Sequence, residues 1–212
     1  MFKCSPKCLT FLPLFAFSVV LTGCQNSTPY FKTAGEPIKV KGSHSSRMLT
    51  ANQLINALEL EGHVEGGYFK QTFKADHRPM LSTSHGNRVT MTSIYYLLTG
   101  ESPIGHFHMN QSDIMHYFHM GDPITYYLIN EDGSLETHIL GPDPTQGHKL
   151  QMVVKGGTWK ASVIPQKGLY GYGLIGEAVA PGFEYTDMQL GKRSAMLLAF
   201  PQHADVIKKL TR

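Results

Sequence analysis

The sequence predicts an all-β domain, a sandwich or barrel, flanked by short helices. From Val64 onward, many short segments rich in β-branched and aromatic residues follow one another. Gly, Pro, Asn and Asp separate these segments at the regular spacing that is typical of strands joined by turns. The segments are YFKQTFKA, VTMTSIYYLLTG, PITYYLIN, SLETHIL, KLQMVVKGG, TWKASVI and GYGLIGEAVA.

A short helix is predicted just before the strands, in TANQLINALELEG. Leu54, Ile55 and Leu58 fall on one face of that helix. Thr50 is suited to cap its N-terminus and Gly62 to stop it. We expect this helix to pack on the larger β structure.

The clearest hairpin is INEDGSLETHIL, with Asp132-Gly133 at its turn. Near the C-terminus the strand pattern is lost. Residues 195–200 are compatible with a strand or a helical turn, and residues 201–210 with a terminal amphipathic helix. The sequence contains 19 Lys and Arg against 16 Asp and Glu. Since no basic stripe alternates with aromatic residues, we expect no nucleic-acid partner.

The N-terminus has the features of a secretion signal. Lys3 and Lys7 precede the apolar stretch 9–21, which is too short to span a bilayer comfortably. The following Leu21-Thr22-Gly23-Cys24 resembles the lipobox of bacterial lipoproteins, which implies cleavage before Cys24 and lipid attachment to it. A plain signal peptide or a short membrane helix is the alternative.

This resemblance implies a lipid-anchored protein of the cell envelope. The parts would be a signal peptide 1–23, a lipidated Cys with a polar tether 24–48, and one domain 49–212. Gln25, rather than Asp, follows the Cys, which by resemblance to Gram-negative lipoproteins favours the outer membrane, facing the periplasm. Cys4 and Cys8 lie in the segment to be removed, so the mature domain would have no disulfide and no thiol nucleophile.

Four histidines stand close together in GHFHMNQSDIMHYFHMG, residues 105–121. If these residues form strands, side-chain alternation places His106 and His108 on one face. His116 and His119 then point to opposite faces unless a bulge intervenes. At most three of the four histidines are therefore expected to converge.

The H-x-H spacing, the acidic residue, the strand and the Gly resemble the first motif of the cupins, which are jelly-roll β-sandwiches or barrels with a pocket. In metal-binding cupins this motif supplies two His and one Glu, and a later motif supplies a third His. Here Ile114 stands at the Glu position and Lys160 at that of the last His.

A more specific resemblance is to the cupin_5 (DUF985) family, over about residues 50–210. Its segments are LELEGHVEGGYFKQTF, RVTMTSIYYLLTG, HMNQSDIMHYFHMGDPI, HILGPDPTQGHKLQMVVKGGTW and VAPGFEYTDMQLGKR. That family typically has Ser-Asp-Glu-(Val/Ile)-Trp-His where this chain has Ser-Asp-Ile-Met-His-Tyr at 112–117. The resemblance also implies a homodimer.

A divalent metal site is one hypothesis for the histidines. His106, His108 and His116 would be its ligands, since His116 shares a strand face with Ile114, and nitrogen ligands favour Zn, Ni or Cu. The alternative is that these histidines line a polar pocket and hydrogen-bond to tyrosines or to a ligand.

Further residues are candidates for the pocket lining. Glu65 is expected at its mouth, unless the Gly-Gly after it only forms a tight turn. Arg88 is suited to bind an anionic ligand or to form a surface salt bridge. Trp159 is suited to form an aromatic wall or to pack in the core. Of Tyr95 and Tyr96, alternation allows only one to face inward, and we assign Tyr96 to the pocket.

Three functions are compatible with these features. The first is a small-molecule binding protein whose ligand is a polar, sugar-like or nucleobase-like ring. The second is an enzyme of cupin type, an epimerase, isomerase or metal-dependent oxygenase; in a sugar epimerase, His108 or His116 would act as base and a Tyr such as Tyr117 as acid. The third is a structural envelope protein without a ligand. The fold alone does not decide among them.

Overall fold

The computed structural model describes residues 48–212. The predicted signal peptide, Cys24 and most of the predicted tether therefore lie outside the described residues. Within the described range, no helix is both long enough and apolar enough to cross a membrane.

The described residues form short helices at the two ends and strands between them. The helices are α1 (Ala51–Ala57), α2 (Arg193–Ala199) and α3 (Ala204–Leu210). The strands are β1 (Glu61–Gly62), β2 (Tyr68–Lys74), β3 (Leu81–Thr83), β4 (Gly86–Arg88), β5 (Thr92–Thr99), β6 (Ile104–Asn110), β7 (Asp113–Gly121), β8 (Ile124–Ile129), β9 (Leu135–Leu140), β10 (Gln151–Val154), β11 (Trp159–Val163), β12 (Tyr172–Ala180) and β13 (Met188–Leu190).

Two antiparallel sheets build a jelly-roll sandwich, as the sequence predicts. One sheet has the order β1-β2-β5-β12-β7-β10, and the other has the order β13-β6-β11-β8-β9. Strands that are neighbours in a sheet are often distant in the chain, which is typical of jelly rolls. The separate β3–β4 hairpin was not predicted from the sequence.

Apolar side chains are buried in layers on both faces of the two sheets. Between the sheets, Leu98 and Ile175 from one sheet pack with Leu128 from the other. On the outer side of the smaller sheet, Phe107 packs under α2 and α3, and on the outer side of the larger sheet, Leu54 of α1 packs on its strands. The space between the sheets is therefore the main core, and it also contains the candidate site.

The predicted local elements are largely confirmed. Thr50 caps α1 by accepting a hydrogen bond from the backbone of Gln53, which returns one from its own side chain. The helix ends before the predicted stop at Gly62. The β8–β9 hairpin has Gly133 at a positive φ in its turn. Residues 195–200 are mostly helical, and residues 201–210 form a 3₁₀ turn followed by α3.

A β-bulge in β6 changes the side-chain alternation that the sequence predicts. His108 pairs with Lys160 of β11, but Gly105 pairs with Ser162, so β6 has one more residue than its partner between these pairs. Gly105 and His108 both face the interior as a result. The two residues between them, His106 among them, turn towards the outer face.

The Gly66-Gly67 pair forms a tight turn that no other residue type fits well. Both residues have positive φ, 105° and 70°. A Cβ added to Gly66 would lie 2.1 Å from the carbonyl oxygen of Ile104. The turn packs directly against β6, which is why it has no room for side chains.

We expect Gly66→Ala to destabilise the protein by more than about 2 kcal/mol, because the steric clash adds to the backbone cost of a positive φ. Gly147→Ala is the matched control, since Gly147 also has a positive φ but an added Cβ has no neighbour within 4 Å. Urea unfolding of both variants measures the difference. Equal decreases in the free energy of unfolding of the two variants would show that the clash with the carbonyl of Ile104 adds nothing to the backbone cost.

Candidate ligand-binding cavity

The Gly-Gly turn fixes the position of Glu65 through the backbone. The carbonyl oxygen of Glu65 accepts a hydrogen bond from His106 N at 2.7 Å. The carbonyl of Gly66 accepts one from Tyr96 Oη at 2.8 Å, and Gly67 N donates to Ser102 Oγ at 2.8 Å. The Glu65 side chain is thereby directed into the space between the sheets, where it is 7% exposed.

Glu65 and His108 form a buried ion pair. Glu65 Oε2 lies 2.8 Å from His108 Nε2, and His108 Nδ1 lies 2.8 Å from the carbonyl oxygen of His106. Both ring nitrogens of His108 thus face oxygen atoms, one from the Glu65 carboxylate and one from a backbone carbonyl. Burial alone would raise the pKa of Glu65, but the charge and hydrogen bond of His108, together with Lys160, lower it below its usual value.

His63 borders the same pair from the outside. Its Nδ1 lies 3.6 Å from Glu65 Oε1. Burial lowers the pKa of His63 more than the charge of Glu65 raises it, so the ring is neutral near pH 7. The ring packs edge-on against Phe69 and lies nearly parallel to Tyr185. His63 therefore belongs to an aromatic wall rather than to the charged pair.

Lys160 connects the two sheets. It extends from β11 to the opposite sheet, where its Nζ lies 3.3 Å from His116 Nε2 and 3.4 Å from Glu177 Oε1. Glu177 and His116 are direct cross-strand partners on β12 and β7, with Oε1 and Nδ1 3.1 Å apart. The side chains of these residues are at most 7% exposed. The three form a buried polar cluster, which we call the lysine cluster, and the Tyr126 hydroxyl borders it 3.3 Å from His116 Nδ1.

The protonation states in the lysine cluster follow from its geometry. Burial alone would raise the pKa of Glu177, but Lys160 and then His116 hold it well below its usual range, so this group is a carboxylate. Burial, and next the charge of Lys160, lower the pKa of His116, so its ring is neutral. Its Nε2 then accepts from the ammonium of Lys160, and its Nδ1–H points to Glu177 Oε1 at 3.1 Å, with the Tyr126 hydroxyl oxygen also within reach at 3.3 Å.

A cavity of about 270 Å³ lies next to both ion pairs. Its polar floor includes Glu65, His108, Lys160 and Glu177, and its walls are mainly apolar or aromatic. The other lining residues are Glu61, His63, Phe69, Gln71, Thr92, Ile94, Asn110, Ile114, Val179, Phe183, Tyr185 and Met188. A more open groove of about 560 Å³ along β9 and β10 lacks such a buried cluster, so the smaller cavity is the candidate site.

Asn110 has an unused hydrogen-bonding group at this cavity. The residue is 7% exposed and stands two positions after His108 on β6, on the same inner face. Its side-chain oxygen Oδ1 is buried, and no described residue forms a hydrogen bond with it. A buried amide without a partner costs free energy, about 1–3 kcal/mol, which a ligand with a matching polar group would recover.

The structure brings some of the sequence-predicted pocket residues together. Glu65 and His108 line the cavity directly. His116 lies behind Lys160 and Glu177 and is fully buried. Tyr96, which we assigned to the pocket, is buried but does not line the cavity, and its hydroxyl donates to the carbonyl of Gly66 in the Gly-Gly turn. Burial raises its pKa well above the usual value, so the phenol stays protonated.

Other predicted pocket residues lie elsewhere. His106 turns away from the cavity because of the β6 bulge, and its Nδ1 lies 3.3 Å from the carbonyl oxygen of Leu210. Arg88 forms a bidentate pair with Asp187, with both distances 2.6 Å, so its guanidinium is not available to an anionic ligand. Trp159 packs with α2 on the outer side of the smaller sheet. For Trp159, core packing was the predicted alternative.

Sequence reasoning missed Lys160, Glu177 and Asn110 as site residues. Two of them had a local signal, since Lys160 and Glu177 are single charges in the otherwise apolar or neutral strands WKASV and YGLIGEAVA. A charged residue in such a strand is rarely buried unless it has a partner. Their proximity depends on the contact between the two sheets, which no local pattern contains.

The interior does not fit a divalent metal. In residues 48–212, no group of three or more His, Cys, Asp or Glu side chains is placed to hold a metal ion. The predicted triad fails because the bulge turns His106 to the opposite face from His108 and His116. The ammonium of Lys160 also contacts His116 and Glu177 directly, and this cation would repel a second one.

The fold and the buried polar cavity define a cupin, a jelly-roll protein with its pocket between the sheets. Residues 52–191 match the family described as Cupin superfamily (DUF985). The chain belongs to this family, as the sequence motifs predict.

Several relatives have similar sequences or structures. An uncharacterized protein of Saccharomyces cerevisiae, YML079W, is 40% identical over 146 residues, which cover 64% of this chain and 72% of the yeast protein. A crystal structure of protein SO0799 from Shewanella oneidensis matches with 37% identity and a TM-score of 0.70, covering 78% of this chain and 99% of that one. A hypothetical protein from Leishmania major matches with 30% identity and a TM-score of 0.72, covering 77% and 99%.

We expect Glu177→Gln to destabilise the protein by about 3–5 kcal/mol, because it leaves the buried ammonium of Lys160 without its carboxylate. Glu59→Gln is the matched control. Glu59 also pairs with a lysine, Lys70, at 2.9 Å, but this pair is on the surface, so we expect little change. Urea unfolding at pH 7 compares the two. Similar small effects would mean that the lysine cluster does not depend on its carboxylate.

Proposed function

We propose that this protein binds a small, polar, sugar-like or nucleobase-like molecule in the cavity between its sheets. The observation that carries this proposal is the buried oxygen of Asn110, which has no partner among the described residues and lies at a cavity with a polar floor. Such a group in a native protein calls for a ligand or an ordered water.

The size and walls of the cavity favour a single ring. At about 270 Å³ the cavity is slightly smaller than the usual range for drug-sized ligands. Phe69, Phe183 and Tyr185 provide aromatic surface on one side, and Ile94 and Ile114 provide apolar surface. Sugar and nucleobase rings combine flat or apolar faces with polar edges, which suits this combination.

The charges of the cavity floor favour a ligand without a negative charge. Glu65 is paired with His108, and Glu177 with Lys160. Glu61 also lines the cavity and adds a further acidic group. Since the interior cations are already paired with carboxylates, an anionic ligand would have no free positive partner and would be repelled.

An enzyme that transfers protons is the second candidate. His108 and Lys160 are direct cross-strand partners on β6 and β11, and both line the cavity, so two groups able to exchange protons stand side by side. Tyr117 was the acid predicted from the sequence. It lies on the other face of β7 from His116 and is 39% exposed, so it does not serve this role.

We also propose that the protein is anchored in the outer membrane through lipid on Cys24, with the domain in the periplasm as a homodimer. The lipobox-like sequence before Cys24 supports the anchor, and the family resemblance supports the dimer. Several acyl chains on one Cys would hold the protein stably, because each buried CH₂ adds to the binding.

Binding is tested by native mass spectrometry of the purified protein and by calorimetry with D-ribose, D-glucose, adenine and uracil. For any ligand that binds, we expect Asn110→Leu to weaken binding about tenfold to a hundredfold, because a polar ligand group is left unpaired. Gln151→Leu, in the open groove at β10, is the control and leaves affinity unchanged. Equal affinity in Asn110→Leu, or no ligand at all, would contradict the proposal.

The anchor is tested separately with Cys24→Ser in a bacterial host. We expect the variant to lose lipid attachment and to remain unprocessed by the lipoprotein route. Membrane fractionation and metabolic labelling with a palmitate analogue measure this, with Cys8→Ser as the control. If Cys24→Ser protein stays as membrane-attached and as fully processed as before, the anchor is at another place or absent.

A further inference from the structure

The amine of Lys160 lies where it can react with a molecule in the cavity. Lys160 is 3% exposed, yet it lines the cavity. We propose that Lys160 forms an imine with the carbonyl group of an uncharged aldehyde or ketone, such as the open-chain form of a small sugar. This inference rests on the proposed function, because the carbonyl compound must first enter the cavity.

The ammonium of Lys160 has fewer hydrogen-bond acceptors around it than it has N–H donors. It has three N–H donors, and within residues 48–212 it has two acceptors, His116 Nε2 at 3.3 Å and Glu177 Oε1 at 3.4 Å. Both contacts are longer than the usual 2.7–2.9 Å, roughly, of a charge-assisted hydrogen bond. One N–H of Lys160 is therefore available to a ligand. The two existing contacts are weak, so they break readily when the nitrogen reacts.

His116 provides the proton acceptor that imine formation needs. An amine attacks a carbonyl carbon only when it is neutral, and Nε2 of His116 is the unprotonated nitrogen that already contacts Nζ. Moving one proton from Lys160 to His116 frees the lone pair. The Nδ1–H of His116 meanwhile keeps its bond to the carboxylate of Glu177, which favours the imidazolium that forms.

The reaction balances without any oxidant or reductant. The lone pair of Nζ forms a bond to the carbonyl carbon, and the carbonyl electrons move to the oxygen. The carbon–oxygen bond then breaks, and the oxygen leaves as water with two hydrogens that came from the ammonium group, one of them through His116. The product is a protonated imine, so the positive charge beside Glu177 is the same before and after the reaction.

The surroundings of Lys160 suit this product. Glu177 stays paired, now with the iminium nitrogen. The carboxylates of Glu61, Glu65 and Glu177 line the cavity, so they disfavour keto acids and favour neutral carbonyl compounds. The free amide of Asn110 lies at the same cavity and offers a hydrogen bond to a hydroxyl group of the ligand.

Reductive trapping tests the proposal. The purified full-length protein is incubated with glycolaldehyde or dihydroxyacetone and sodium cyanoborohydride, and peptides are mapped by mass spectrometry. We expect labelling of Lys160 about tenfold faster than of exposed lysines such as Lys155, since His116 beside Nζ takes up the proton that an exposed lysine must lose to water. Pyruvate is expected to label Lys160 more slowly than dihydroxyacetone. Uniform labelling of the lysines, or a preference for pyruvate, would overturn the proposal.

Variants separate the covalent step from binding. Lys160→Arg keeps the charge and is expected to lose the fast label, while Lys155→Arg keeps it. His116→Gln is expected to label more slowly at an intact Lys160. The peptide map of the wild-type protein needs no variant. It therefore tests imine formation at Lys160 even if a core variant does not fold. Wild-type protein that binds dihydroxyacetone by calorimetry but is not labelled at Lys160 refutes the imine and leaves the proposed function standing. Failure to bind any test ligand refutes both.

Discussion

The polar interior of this protein is organised around one cation, the ammonium of Lys160, which reaches from one sheet to the other. It contacts His116 and Glu177, which are neighbours on two strands of the opposite sheet. A buried charge is costly to remove from water unless it has a partner. The two sheets therefore pack so that these side chains meet, and an apolar layer that includes Leu128 and Ile175 packs around them.

The charge balance of the interior follows from the same constraint. Glu177 balances Lys160, and Glu65 pairs with His108, the cross-strand neighbour of Lys160. Because the pairs satisfy each other, the protein needs no metal to hold its carboxylates. The cavity has a polar floor of paired side chains, on which the side-chain oxygen of Asn110 is the group that still lacks a partner within the described residues. The proposal of a neutral polar ligand rests on this arrangement.

Much of this architecture could be predicted from the sequence, and the exceptions have physical causes. Short strands, turn residues and family motifs predicted the jelly roll. Alternation predicted that His116 and Ile114 share one face of β7, and the cupin resemblance predicted that this face points inward. Alternation failed for His106, because an extra residue in β6 cannot be recognised without knowing its partner strand. Lys160 was recognised only as a departure from a metal-ligand position, since its partners come from the facing sheet.

The residue that the bulge turns outward links two distant parts of the molecule. His106 takes part in one hydrogen bond with the backbone of Glu65, at the cavity, and one with the carbonyl of Leu210, in the last turn of α3. We expect a change that displaces the C-terminal helix, such as a fused domain or an affinity tag, to move the His106 side chain. The backbone N–H of His106 donates to the carbonyl of Glu65, so such a movement would also shift Glu65. Labels and fusions are therefore best attached away from α3, and changes in that helix should be regarded as perturbations of the cavity.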